Sequence, residues 1–260
     1  MVDIQGRFNR SALLFGEDGM ARLASSNVII FGVGGVGSWC AEALVRTGIR
    51  RLTIVDSDKV CITNCNRQLM ASDHTVGMVK VEALKNRLLD INPDAEINAL
   101  QKTYTSENAF EFHLEEYDYI IDAIDSLKDK VDLMLRATEL MHQGKKKGST
   151  HRTSFLSSMG AALRIDPTKV RVDEFWNVKG DALARAIRNK MKRDKTFPKC
   201  KFQCVYSEET PLANVGLADT SDNAASMFNK AQVNGSLCHV TAIFGMTLAG
   251  QVLKDILNDK

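Results

Sequence analysis

Asn27-Val28-Ile29-Ile30-Phe31-Gly32-Val33-Gly34-Gly35-Val36-Gly37-Ser38 decides the fold of this 260-residue chain. The apolar run predicts a strand over 27–31, the glycines a tight turn, and the apolar pattern behind them a helix over 35–48. Glycine lets a backbone approach a phosphate closely, and a helix N-terminus turns free N–H groups toward the anion. A second apolar run, Leu52-Thr53-Ile54-Val55, ends in Asp56. That acid stands about 20 residues past the motif, the spacing of a carboxylate that holds a ribose hydroxyl. The complete βαβ context predicts a nucleotide crevice built on Gly32, Gly34, Gly35, Gly37 and Asp56. A purely structural glycine turn is the plain alternative, and these residues do not say which nucleotide is held.

Outward from this unit, strand and helix patterns alternate. Strands are expected near 51–55, 96–100 and 118–122, and helices near 17–25, 76–91 and 126–142. Such alternation predicts an α/β, Rossmann-like, mostly parallel sheet with helices on both faces, followed by an irregular distal part. Asn92-Pro93-Asp94 closes the helix that begins near Val76. Asp125 falls just beyond the strand over 118–122, so it and Asp56 share the crevice at the carboxyl ends of the strands. The whole of 1–260 reads as one domain, with 1–142 as the nucleotide-binding part and 143–260 as the substrate and dimer part. In the distal part, 143–152 reads as a polar, basic loop and 155–162 as a short buried strand and turn. Residues 181–195 have helical spacing, and 205–232 carry little regular signal.

Net charge is +2, which by its total does not single out a nucleic-acid binder. The basic residues are nevertheless concentrated. At helical spacing Arg185, Arg188 and Lys192 share a face, with Lys195 close to it, a stripe suited to a phosphate backbone. Lys145, Lys146 and Lys147 extend it, and a solvated basic helix is the plain alternative. The N-terminus has neither the basic region nor the apolar core of a signal peptide, and six cysteines without such a signal read as reduced thiols in the cytoplasm. The most apolar stretch, Val240 to Leu253, is shorter than the ~20 residues a membrane span needs. It is expected to be a buried or subunit-interface helix, with no membrane partner.

A second constellation separates this crevice from a hydride-transfer site. Asp58, Asn64, Arg67, Gln68, Lys80 and Asp125 follow in order. Arginine and lysine beside phosphates suit charge that builds on a phosphoryl group in transit. An aspartate there can hold Mg²⁺, which commonly takes one or two protein carboxylates. Together they describe attack on an ATP phosphate. Each has a plain alternative: Asp58 as a turn cap, Lys80 as a solvated helix residue one turn into its helix, Arg7 as a surface ion-pair residue.

Arg7-Phe8-Asn9-Arg10, the glycine motif, Asp56-x-Asp58-x-Val60, Asn64-x-Asn66-Arg67-Gln68, Gly77-x-x-Lys80 and Asp122-x-x-Asp125 run in an order that resembles the adenylating superfamily of ThiF, MoeB and the ubiquitin-activating enzymes. The resemblance implies that Asp56 holds the ribose, that Arg67 and Lys80 contact the phosphates with help from Asn64, and that Asp125 lies near Mg²⁺. It also implies a homodimer in which Arg10 reaches the ATP of a neighbouring subunit. ThiF and MoeB types typically carry two Cys-x-x-Cys pairs around a structural zinc. This chain has Cys61-x-x-x-Cys65 and Cys200-x-x-x-Cys204 instead, so no structural zinc is expected.

The distal half, with Ser157-Ser158-Met159-Gly160-Ala161, Ile165-Asp166-Pro167-Thr168, Cys204-Val205-Tyr206-Ser207-Glu208-Glu209, Gly235-Ser236 and Val240-Thr241-Ala242-x-Phe244-Gly245, resembles one group in that superfamily, the tRNA threonylcarbamoyladenosine dehydratases. Two places depart from that pattern, the basic stretch 144–153 and Ala162. The resemblance implies ATP-dependent cyclisation of the threonylcarbamoyl group on adenosine 37 of tRNA. Its carboxylate is activated as a mixed anhydride, by adenylyl or phosphoryl transfer, and an atom of the same substituent closes the ring with net loss of water. The partners implied are tRNA, a second copy of the chain and a sulfur-transfer protein. Cys204 reads either as a nucleophile activated by nearby lysines or as a buried strand residue. The alternative enzyme is an adenylyltransferase for a ubiquitin-like sulfur carrier, and the remaining readings are a scaffold with an inactive nucleotide site and an NAD-dependent dehydrogenase.

Overall fold

In a computed structural model, which describes residues 6–147, 153–216 and 234–258, the strands are β1 (Asn27–Phe31), β2 (Arg51–Val55), β3 (Glu96–Leu100), β4 (Tyr119–Asp122), β5 (Ser154–Ser158), β6 (Val170–Glu174) and β7 (Gln203–Ser207). They form one sheet in the order β3-β2-β1-β4-β5-β7-β6. All pairings are parallel except that of edge strand β6 with β7. The helices are α1 (Asn9–Ser25), α2 (Gly37–Thr47), α3 (Lys80–Ile91), α4 (Leu127–Lys147), α5 (Ala182–Asp194) and α6 (Cys238–Asn258).

Strand β1 explains why the sheet is covered twice. Its residues Val28 to Phe31 are all fully buried, as a central parallel strand requires. Val28 and Ile30 enter one core with Leu44 of α2, Leu84 of α3 and Phe244 of α6. Ile29 and Phe31 enter the other, with Met134 of α4 and Ile187 of α5. The α/β architecture expected from the alternation is therefore present, and the four proximal strands fall within a residue of their expected places.

Helix α6 is long and apolar enough to cross a membrane by length and composition. In this fold Val240, Phe244, Leu248 and Val252 are fully buried on one of its faces, packed mainly on α2. The contact is so close that a Cβ on Gly245 would collide with the Val36 carbonyl and lie 2.8 Å from the Cys40 nitrogen. A second tie holds α2 to α3. Glu42 of α2 accepts from Arg46 Nε at 2.8 Å and from Arg87 Nε of α3 at 2.6 Å. Burial pushes the Glu42 carboxyl up, and the two guanidinium groups more than offset it, leaving the group below its ordinary value.

Several local expectations change. Helix α1 begins at Asn9, eight residues before the expected start, and bends at Gly16, whose φ is 66°. Helix α3 begins at Lys80 because Gly77 takes φ 89° and Val79 bridges Lys59, so 76–79 form a turn and Lys80 is the first helical residue. The basic stretch after Met141 is not a loop as far as Lys147: α4 continues through it, since lysine is a good helix former and one glycine is tolerated in a long helix. Residues 148–152 and 217–232 of the expected irregular segments lie outside the described residues. Strand β7 falls partly in the stretch read as irregular, and β6 stands where the sequence pattern predicts no strand.

Gly245→Ala is expected to lower stability by about 1–3 kcal/mol, the usual cost of overpacking a tight contact. Urea denaturation checks it, and unchanged stability would mean that α6 lies farther from α2 than described.

Candidate functional site

The turn after β1 sets the floor of the crevice. Gly32 takes φ +85°, and a Cβ there would sit 2.6 Å from the Ala123 carbonyl oxygen, so the turn lies directly against the segment that follows β4. Gly37 opens α2 and Gly35 faces Thr241 of α6. Gly34 is different: the nearest atom to its missing Cβ is Gln68 Nε2, at 3.8 Å. The space above Gly34 is therefore the part of the turn open to a ligand.

The rim is built by β2 and the loop behind it. Asp56 accepts from the Val33 N–H at 2.9 Å and the Asp58 N–H at 3.0 Å. Burial pushes its carboxyl above the ordinary range, with Lys80 pulling the other way. Asp58 pairs with Lys80 Nζ at 2.7 Å, and the Lys80 N–H donates to the Asp58 carbonyl at 3.0 Å. The salt bridge plus that backbone bond place a largely buried ammonium beside two carboxylates at the crevice mouth. Asn64 is buried and its Oδ1 accepts from the Cys61 N–H at 3.1 Å, which shapes the short helical turn that carries Arg67. Trp39 Nε1 of α2 donates to the Arg67 carbonyl at 3.1 Å and fastens that turn to the glycine helix. The Arg67 guanidinium donates to Thr63 O and Asn66 Oδ1. Gln68 is buried with its Oε1 unpartnered, and its Nε2 is the atom nearest the open space over Gly34.

Asp125 follows Asp122, Ala123 and Ile124 at the end of β4, across the floor from Asp56, and is exposed. Beneath it lies a pair that the sequence reading missed. Asp122 and Lys130 are both wholly buried, with Lys130 Nζ 2.8 Å from Asp122 Oδ2. The available signal was a lysine among the apolar residues of α4, at helical spacing with Leu127, Val131, Met134 and Ala137. Arg10 is exposed on α1, which packs chiefly on α6 rather than on the glycine turn. Within one chain it does not join the set. Among the described residues, no group of three or more His, Cys, Asp or Glu side chains is placed to hold a metal.

Helix α5 packs in the core on the other face of the sheet, and Asp181 at its start accepts from the Gly160 and Ala184 N–H groups. Arg185, Lys192 and Lys195 are exposed, and Lys195 ends the helix with φ 53°. Arg188 departs from the expected stripe. Its Nη1 donates to the Phe175 carbonyl at 2.9 Å, and its guanidinium lies 5.7 Å above the Phe175 ring centroid. A long side chain beside an aromatic packs on it, and helical spacing alone did not foresee that neighbour. Cys204 sits in the middle of β7, fully buried, and burial pushes its thiol well above the ordinary value. A nucleophile needs the opposite shift and an open approach.

Comparison with known proteins gives the same picture. The model of the ThiF family matches residues 8–260. This chain belongs to the ThiF family. A tRNA threonylcarbamoyladenosine dehydratase of Bacillus subtilis is 36% identical over 97% of this chain and 95% of the relative. The crystal structure of the E. coli tRNA N6-threonylcarbamoyladenosine dehydratase with ATP superposes with a TM-score of 0.78, at 31% identity over 97% of this chain and 94% of that one. The same enzyme is also known with AMP, at a TM-score of 0.79. Similarity to an adenylyltransferase and sulfurtransferase of Aedes aegypti, 37% identical, covers 46% of this chain and 28% of that protein. The likeness of this ThiF-family chain to the dehydratases thus runs through both halves, whereas its likeness to the sulfur-carrier type covers less than half of it.

Proposed function

We propose that this chain uses ATP to remove water from N6-threonylcarbamoyladenosine in tRNA and so close its side chain into a ring. The observation that carries the reading is the meeting of the Gly32 turn, Asp56, Asp58, Lys80 and Asp125 in one crevice, in a chain that matches dehydratases from end to end. The residues fit ATP. The open cradle over Gly34 admits phosphates to the N-terminus of α2, and Asp56 stands where a ribose would lie. Lys80 and Arg67 lie on the phosphate side, and Asn64 and Gln68 shape that wall. ATP, when bound, supplies the electrophilic phosphorus that activates the substrate carboxylate. Mg²⁺ is assigned to Asp125, a single exposed carboxylate of the kind Mg²⁺ takes alongside phosphate oxygens.

The chain's own contribution is placement. Cations on a backbone that is already tied down offset the charge that develops on the transferred group. Ring closure joins two atoms of one substituent, so proximity supplies the second step and no enzyme nucleophile is needed. Cys204, buried in β7, is left outside the reaction. The reaction is tested by incubating tRNA that carries threonylcarbamoyladenosine with protein and ATP, then weighing the nucleosides. The expected product is lighter by one water; an unchanged nucleoside, with ATP and magnesium present, would overturn the reading.

The chain is read as one domain and as a cytoplasmic homodimer. Support for the dimer comes from Leu13 and Leu14, 77% and 80% exposed on α1, and from the exposed Ile243 and Met246 on neighbouring α6. Arg10 shares α1 with the first two, which supports its reaching a neighbouring subunit's ATP. The tRNA surface is read as Arg185, Lys192 and Lys195 with Lys145 and Lys146. All five are exposed on or at the end of the adjacent helices α4 and α5. Arg188 drops out because it is committed to Phe175. Phosphate contacts position a nucleic acid without reading it, so this stripe is assigned to affinity and not to choice of nucleotide. Arg185→Glu with Lys192→Glu is expected to weaken tRNA binding about tenfold or more at low salt and to flatten its salt dependence by about one unit for each phosphate no longer held. ATP binding should be unchanged. Filter binding over a salt series checks it, and an unaltered slope would move the tRNA surface elsewhere.

A further inference from the structure

We infer that the buried Asp122–Lys130 pair is a clamp on the Ile124 backbone that aims Asp125, so that Lys130 is a positioning residue for the metal–phosphate side of the reaction. The inference rests on the role given to Asp125 above. Lys130 Nζ donates to the Ile124 carbonyl at 3.0 Å as well as pairing with Asp122 Oδ2 at 2.8 Å. Asp122 Oδ1 in turn accepts from the Ile124 N–H at 3.0 Å, and Oδ2 accepts from Ser157 Oγ of β5 at 2.6 Å. Both backbone polar groups of Ile124 are therefore held by one buried ion pair. The Ile124 carbonyl belongs to the peptide that leads into Asp125, so fixing it fixes the plane from which the Asp125 side chain departs. The residue before Ile124 is held too. Ala123 donates its N–H to Phe31 O at 2.8 Å, and its carbonyl lies against Gly32. The clamp thus references Asp125 to the floor of the nucleotide crevice.

A purely structural role accounts poorly for these residues. A wholly buried ion pair is often replaced by apolar residues of similar size with no loss of stability. Lys130 stands in an otherwise apolar stripe of α4 that such a residue would fill. What an apolar side chain does not provide is a donor for the Ile124 carbonyl.

The variant Asp122→Asn/Lys130→Met keeps an acceptor for the Ile124 N–H, removes both charges together, and deletes the donor to the Ile124 carbonyl. Its melting temperature, its affinity for AMP, and the gain in ATP affinity on adding magnesium chloride are measured by calorimetry beside wild type. The clamp predicts melting within a few degrees of wild type and AMP affinity within about threefold, since Asp56 and the glycine turn are untouched. It predicts that the magnesium-dependent gain in ATP affinity falls about tenfold and that ATP turnover falls by a larger factor. A folded double variant with the wild-type magnesium gain would show the pair to be structural only. Should the double variant not fold, Ser157→Ala decides. It frees Asp122 from one restraint without uncovering a charge, and is expected to reduce the same magnesium gain about threefold; no change would overturn the clamp. Wild-type protein that binds ATP with magnesium yet leaves threonylcarbamoyladenosine intact would defeat the proposed reaction and leave the clamp to be judged on binding alone.

Discussion

The turn at Gly32 is the constraint on which the rest depends, because three strand ends meet there. Its N–H donates to the Val55 carbonyl at the end of β2. Its α-carbon lies against the Ala123 carbonyl at the end of β4. Its neighbour Val33 donates to Asp56. A side chain at Gly32 would push β1 away from β4 and would also oppose the positive φ, so a single position couples Asp56, the N-terminus of α2 and the segment that leads to Asp125.

Two buried lysines border the crevice, and the exposure of their carboxylate partners tells them apart. The Lys80 side chain is 7% exposed, but its partner Asp58 is about one-third exposed, so water reaches this pair from the carboxylate side. The Lys130 pair has no exposure on either side. Removing one partner of such a pair typically costs about 3–5 kcal/mol. Lys80 stands at the crevice mouth, and Lys130 is part of the frame.

The fold was legible because its signals are local. An apolar run, a glycine turn and the next apolar run lie within 30 consecutive residues, and the sheet's periodicity extends them. Asp56 was legible from its spacing after the glycine motif, and Asp58 and Lys80 from an order along the chain that carries the resemblance to adenylating enzymes. What stayed hidden depends on neighbours distant in sequence. Lys130 reads as an ordinary helix lysine until Asp122 is folded beneath it. Arg188 has the spacing of a phosphate-binding stripe until Phe175, 13 residues earlier, is brought under its guanidinium. The start of α3 was misplaced because the bridge between Lys59 and Val79, which holds 76–79 out of the helix, is a contact across a loop.

The proposed ATP site should tell ATP from a dinucleotide by affinity. Calorimetric titration of ATP with magnesium, and separately of NAD, into wild type and Asp56→Ala tests this most directly. ATP is expected to bind wild type and to lose its binding in Asp56→Ala, with no measurable heat of binding for NAD. NAD binding as tight as ATP binding, or ATP binding unchanged in a folded Asp56→Ala protein, would contradict it.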